Sequence, residues 1–200
     1  MNPHFIFNCL NSIQGFILER DVKGANFYLA KFAKLIRQTL DYSGQSLTTL
    51  SQEVDYLTNY LNLESLQTGP SFSFHVDTTG VTMMDALIPV MMIQPFVENA
   101  IKHGVGPLKE GGEINLTFRN APSGDLYVDI MDNGCGILHK KNQDKEQHTS
   151  KGISLIRNRI AIWNQLNVRK IILETGWASK GHGTRITLIF PIISKKDTRC

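Results

Sequence analysis

The hydrophobic pattern changes period at Gly69-Pro70, and that change limits the possible folds more than any other feature of the chain. Upstream, apolar residues recur every three or four positions, as one face of an α-helix requires; downstream they alternate with polar ones, as a half-buried strand requires. Phe5, Ile6, Cys9, Leu10, Ile13, Phe16 and Ile17 predict a first helix over residues 2–19, and residues 20–24 read as a turn. Pro3 would kink any helix running through it, and His4 sits beside it. A second helix over residues 25–42 is expected to bury Leu29, Phe32, Ala33, Ile36 and Leu40. After a break at 43–49, Ser51 is the expected N-cap of a third helix, with Glu53 in its first turn and Leu50, Val54, Leu57 and Leu61 as its stripe. Gly69-Pro70 stops it.

Beyond that stop, Phe72, Phe74 and Val76 alternate as a strand, and the apolar run 86–93 leads into a helix at 94–104. Ile114, Leu116 and Phe118, then Leu126, Val128 and Ile130, alternate on either side of a turn at 120–125 and predict a hairpin ending at Asp132. Residues 139–151 contain no apolar side chain and read as a mobile functional loop. A helix over 153–166 and a final hairpin of strands at 171–174 and 184–190 complete the chain. The expected class is α+β: an N-terminal helical hairpin, then antiparallel strands covered by helices in a two-layer α/β sandwich. A two-helix hairpin cannot bury both stripes alone, so it either docks on the rest of the chain or pairs with a second copy as a four-helix bundle.

Composition narrows the function. A net charge of +3 is scattered along the chain without an aromatic platform, which argues against a nucleic-acid partner. Cys9, Cys135 and Cys200 are odd in number and lack metal spacing, as expected for reduced cytoplasmic thiols. No apolar run reaches the ~18 residues of a membrane span. The chain opens inside a patterned helix, so it is expected to be a piece of something longer, truncated at its N-terminus, with any membrane anchor upstream.

The chemistry concentrates in QPFVENAIKHG, residues 94–104. On a helix, Phe96, Val97, Ala100 and Ile101 form an apolar stripe, while Glu98 and Lys102, and Asn99 and His103, stand one turn apart on its flank. Asp132 followed by Gly134 and Gly136, with Gly152 opening a later helix, adds an acid and turns suited to a phosphorylated ligand and a hard metal ion.

NPHFIFN (2–8), IPVMMIQPFVENAIKHG (88–104) and DNGCG (132–136), in that order, resemble the LytS-type sensor histidine kinases, whose ATP-binding half is similar to that of gyrase, Hsp90 and MutL. The resemblance implies a helical dimerisation and phosphoacceptor region at 1–49 and an ATP-binding domain at 50–200, with an ATP lid at about 138–151. It implies that His4 receives the phosphoryl group and that Glu98, Asn99, Lys102 and His103 form the N box, with Asn99 giving an oxygen to Mg²⁺. Asp132 would accept from the adenine amino group, Thr184 would lie near the base, and Gly134, Gly136 and Gly152 would let the backbone approach the nucleotide. Two departures stand out: Gly152 is followed by Ile153-Ser154-Leu155 where such kinases often carry a second glycine, and Phe5 stands where many histidine kinases have an acid. The base for His4 is open between Asn8, as an orienting group, and Glu98, from the other domain.

The expected activity is autophosphorylation on His4 from Mg²⁺·ATP, followed by transfer to an aspartate on a response-regulator receiver domain, in a homodimer attached to a membrane only through absent segments. Two alternatives stand beside it: a dimeric signalling scaffold that binds nucleotide weakly, and a nucleotide hydrolase in which Glu98 activates water.

Overall fold

The computed structural model describes residues 3–68, 71–136, 151–179 and 182–192. Three helices come first: α1 (Pro3–Leu18), α2 (Val22–Ser43) and α3 (Leu50–Thr68). α2 starts earlier than its stripe suggests, because Asp21 caps it by accepting a hydrogen bond from the Gly24 amide at 2.9 Å. The cap of α3 is Thr49, not Ser51. Thr49 Oγ1 accepts from the Gln52 amide and Gln52 Oε1 accepts from the Thr49 amide, each at 3.2 Å, which is a reciprocal capping box.

The helices lie side by side. Phe5 of α1 packs on Tyr60 of α3 with ring centroids 5.0 Å apart, and further along both helices Gln67 Nε2 donates to Cys9 Sγ at 3.0 Å. α1 and α3 therefore run parallel, with α2 antiparallel to both. The inward positions of α2 are Tyr28, Leu35 and Tyr42, seven residues apart, while Leu29, Ala33 and Leu40 of the expected buried stripe face outward. Tyrosine takes the inner face because its ring fills the core while its hydroxyl can still reach a partner; the Tyr28 hydroxyl accepts from Gln67 Nε2 at 2.7 Å.

Two short strands that the pattern does not announce, β1 (Leu47–Thr49) and β3 (Leu87–Pro89), pair antiparallel. At three residues each they are too short to carry a period. The main sheet has the order β2-β4-β5-β7-β6, formed by β2 (Phe72–Gly80), β4 (Gly112–Asn120), β5 (Asp125–Asp132), β6 (Ile172–Gly176) and β7 (Thr184–Pro191). It is mixed, not wholly antiparallel: β2 and β4 run parallel, because the chain crosses over through a helix between them. That helix is α4 (Gln94–Asn99), which continues as a π-helical turn over Ala100–Val105. α5 (Lys151–Leu166) adds Ile156 and Ile160 to the same core.

The register of the sheet positions the site. Phe118, Val128 and Leu188 form one rank across β4, β5 and β7, and Leu116, Ile130 and Ile186 form the next, all buried. The following rank is Ile114, Asp132 and Thr184. The apolar layer thus ends in an acid and a hydroxyl where sheet and helices part.

Candidate nucleotide site and phosphoacceptor helix

Asp132 is buried at the end of β5, and its Oδ1 accepts from the Gly134 amide at 3.0 Å. Burial raises its carboxyl above the usual range, while hydrogen bonds from the Gly134 amide and from the amide and hydroxyl of Thr184 hold it back. The space around the carboxyl is closed by backbone. A Cβ on Gly104 would meet the Asp132 carboxyl carbon at 2.6 Å, and the Gly183 amide donates to the Gly134 carbonyl at 2.9 Å. Gly136 has φ +74°, and a Cβ there would meet the Trp177 ring at 2.5 Å. Asn133 is a structural tie: its side chain bonds the Glu113 amide at 2.7 Å and the Gly111 carbonyl at 2.9 Å, fastening the end of β5 to the start of β4.

α4 carries the second group. Phe96, Val97, Ala100 and Ile101 are all buried, as the stripe predicts. The Tyr56 hydroxyl donates to Gln94 Oε1 at 2.9 Å, Gln94 Nε2 donates to Glu98 Oε1 at 2.9 Å, and Lys102 Nζ lies 3.7 Å from Glu98 Oε2. Glu98 is thereby held at both oxygens. Asn99 stands where α-helix passes into π-helix, a junction that re-aims the following side chains and recurs at functional sites. Its Nδ2 is buried without a hydrogen-bond partner among the described residues. His103 is exposed on the π-helical turn.

His4 lies on α1, exposed, with Asn8 Nδ2 3.3 Å from its Nδ1. This is the orienting contact open to Asn8 one turn on. Phe5 turns inward, so the position after His4 serves packing. Gly152 falls in the first turn of α5; the expected lid up to residue 150 lies outside the described residues. The structure therefore brings Asp132, Thr184 and Gly134 together at the mouth of the sheet, and sets Gly136 beside Trp177.

The pattern of the chain does not single out Gly104, Gly183, Trp177, Gln94 or Glu64. Gly104 closes the QPFVENAIKHG run and Gly183 precedes Thr184, so adjacency to expected site residues is the available signal. Gln94, flanked by Ile93 and Pro95, is a polar residue in an apolar run and is legible as a buried hydrogen-bonding group.

Residues 1–72 match the family model described as histidine kinase, and residues 84–194 match that described as histidine kinase-, DNA gyrase B-, and HSP90-like ATPase. The sensor protein LytS of Enterococcus faecalis is 30% identical over 168 residues, covering 80% of this chain and 28% of that protein. The sensor histidine kinase/phosphatase LytS of Staphylococcus aureus is 30% identical over 141 residues, covering 70% of this chain and 24% of that one. The chain spans about a quarter of the length of these two relatives. The histidine kinase domain of the Erythrobacter litoralis EL346 blue-light activated kinase superposes with a TM-score of 0.55 at 13% identity, over 94% of this chain and 93% of that one, which supports the fold. By the match of residues 84–194, more than half of its length, the chain belongs to the histidine kinase-, DNA gyrase B- and HSP90-like ATPase family, and residues 1–72 add the histidine kinase match on its N-terminal side.

Proposed function

We propose that this chain is the kinase core of a two-component sensor, in which Mg²⁺·ATP binds at the mouth of the sheet and His4 takes the γ-phosphoryl group. The observation that carries the reading is Asp132, a buried carboxylate crowded by the backbones of Gly104 and Gly134 and placed opposite Thr184. Such an acceptor, desolvated and hemmed in by backbone, selects a planar donor such as the adenine amino group, because leaving it unmatched is costly. Thr184 would border the base, and Gly134 and Gly136 would let backbone approach it.

Asn99 would hold Mg²⁺ through its amide oxygen, with waters and phosphates completing the shell. When bound, the ion would neutralise phosphate charge and align the γ-phosphoryl group. Glu98 and Lys102, locked together and to Gln94, would keep Asn99 in place, and His103 and Gly152 would border the phosphates. His4 is a suitable acceptor because a neutral imidazole is nucleophilic at neutral pH. One ring nitrogen bonds to the γ-phosphorus as the bond to the bridging oxygen breaks, and ADP leaves with the electron pair. The phosphoryl group then passes to an aspartate of a response-regulator receiver domain.

Residues 1–49 would be the dimerisation and phosphoacceptor region, and 50–200 the ATP-binding region. No helix among the described residues is long and apolar enough to cross a membrane, and we infer that the chain is the cytoplasmic part of a sensor anchored by segments outside it. Incubation with γ-labelled ATP tests the reading: acid-labile label appears on the chain and is lost in His4→Ala. Equal labelling of His4→Ala removes His4 from the reaction, and phosphate release without labelling points to a hydrolase.

A further inference from the structure

α1 carries no acidic residue, so nothing on the phosphoacceptor helix itself can balance positive charge on the His4 ring. α3 supplies one. Phe5 stacks on Tyr60, and Gln67 reaches Cys9 one turn on, so the stretch of α3 between Tyr60 and Gln67 runs alongside the stretch of α1 that holds His4 and Asn8. Glu64 lies in that stretch. It is buried, and its Oε1 accepts a 2.6 Å hydrogen bond from the Tyr60 hydroxyl. A single tyrosine thus stacks on the residue next to His4 with its ring and holds Glu64 with its hydroxyl.

The groups that face Glu64 come from every element around it. They are His4 and Cys9 on α1, Tyr60 on its own helix, and Glu98 and Lys102 on α4 and its π-helical extension. Burial raises the Glu64 carboxyl; the Tyr60 hydroxyl, Lys102 and His4 pull it down, and Glu98 pushes it up. The carboxylate is therefore within electrostatic reach of both the phosphoacceptor helix and the QPFVENAIKHG segment.

We propose that Glu64 is the positioning carboxylate of His4, supplied by α3 in place of an acid on α1; the proposal rests on the kinase reading above. When one imidazole nitrogen bonds to phosphorus, the ring becomes cationic until the proton on its other nitrogen leaves for solvent. An anion held within electrostatic reach of the ring, and poorly screened because it is buried, favours that cation over the neutral starting ring. The carboxylate needs no direct contact with ATP. It acts through the histidine.

The test is Glu64→Gln in the whole chain, which keeps an oxygen for the Tyr60 hydroxyl and removes only the charge. The labelling rate at saturating Mg²⁺·ATP is expected to fall roughly tenfold or more. The ATP dissociation constant and melting temperature stay at wild-type values. The variant's rate–pH profile loses the dependence set by the Glu64 carboxyl and keeps the acid limb set by the His4 imidazole, and Glu64→Asp recovers part of the rate. Tyr60→Phe keeps the ring packing and frees the carboxylate, so it gives a smaller loss in rate and serves as the second reading where Glu64→Gln does not fold. Wild-type labelling rates in both Glu64→Gln and Tyr60→Phe overturn the proposal, as does a loss explained wholly by weaker ATP binding. Wild-type chain that binds ATP but takes no label on His4 overturns the kinase reading, and this proposal with it.

Discussion

Gly134 rests so closely on Gly104 that a Cβ added to Gly134 would lie 2.1 Å from the Gly104 carbonyl oxygen. The last turn of the QPFVENAIKHG segment and the loop after Asp132 are thus in backbone-to-backbone contact, and neither can yield without moving Asp132. Gly134→Ala is expected to cost more than about 2 kcal/mol of stability, because the obstacle is backbone and not a flexible side chain. ATP affinity should fall with it. A Cβ on Gly176 would meet nothing within 4 Å, so Gly176→Ala provides the neutral control. Thermal melting and calorimetric titration of the pair decide the matter: a Gly134→Ala chain that melts and binds as wild type does would show that the contact yields easily.

Asp132 makes a sharper prediction about ligand. Its carboxyl is raised by burial and stabilised by Gly134 and Thr184. The folded protein bears the cost of desolvating it, so Asp132→Ala should retain its fold. Loss of a buried acceptor costs roughly 1–3 kcal/mol, which is about fivefold to 150-fold in affinity for ATP. ATP binding by wild-type protein should also weaken on acidification as Asp132 takes a proton, starting at a higher pH than an exposed aspartate would allow. Calorimetry across pH reads both effects, and unchanged affinity in Asp132→Ala would remove the residue from the site.

The ranks Phe118–Val128–Leu188 and Leu116–Ile130–Ile186 show why most of the fold is legible: strict alternation puts each of these residues inward whatever the sheet order. The parallel pairing of β2 with β4 is not, because alternation is silent on strand direction. β1 and β3 are too short to have a period. The inner face of α2 departs from its leucine stripe because the Tyr28 hydroxyl finds a partner on α3 and the Tyr42 ring packs on Tyr56, which leaves Leu29 and Leu40 facing out. The candidate site residues carried by motif, Asp132, Asn99 and Glu98, are legible as chemistry. Gly104 and Glu64 are not, because their importance lies in what another segment presents to them.

Glu53 predicts how stability responds to pH. It is fully buried in the first turn of α3, and among the described residues neither carboxylate oxygen accepts a hydrogen bond of good geometry. Burial pushes its pKa up to about 8, although the nearby Met91 amide and the Arg159 guanidinium ease the charge. An acid whose pKa is higher when folded than when unfolded binds more protons in the folded state. Its stabilising contribution is complete below the unfolded value, near 4.5, and is lost as pH rises through about 8. Within that window stability should decline by up to about 1 kcal/mol per pH unit from this group. Glu53→Gln should flatten the decline, as urea titrations at pH 5, 6.5 and 8 would reveal; equal slopes in the two proteins would mean that Arg159 keeps Glu53 charged throughout.

The outward face of the helical hairpin predicts self-association. Phe7, Leu10, Gln14 and Ile17 on α1 follow steps of three, four and three, and Leu29, Ala33, Ile36 and Leu40 on α2 follow four, three and four. These are heptad seams, the spacing at which one helix receives the side chains of another. Phe7 and Leu40 are each 66% exposed and Leu29 is 48% exposed, so within one chain the seams bury little. A second copy would cover them as a four-helix bundle, and each leucine fully buried there would contribute about 1.5–3 kcal/mol. Leu40→Glu should therefore weaken the dimer by roughly tenfold or more while leaving the monomer's melting behaviour unchanged, because the substituted side chain already faces water. Leu35→Glu should instead unfold the hairpin, since Leu35 is fully buried against the chain's own core. Sedimentation equilibrium on both variants separates the two faces of α2. A Leu40→Glu chain that stays as dimeric as wild type would place the dimer interface elsewhere.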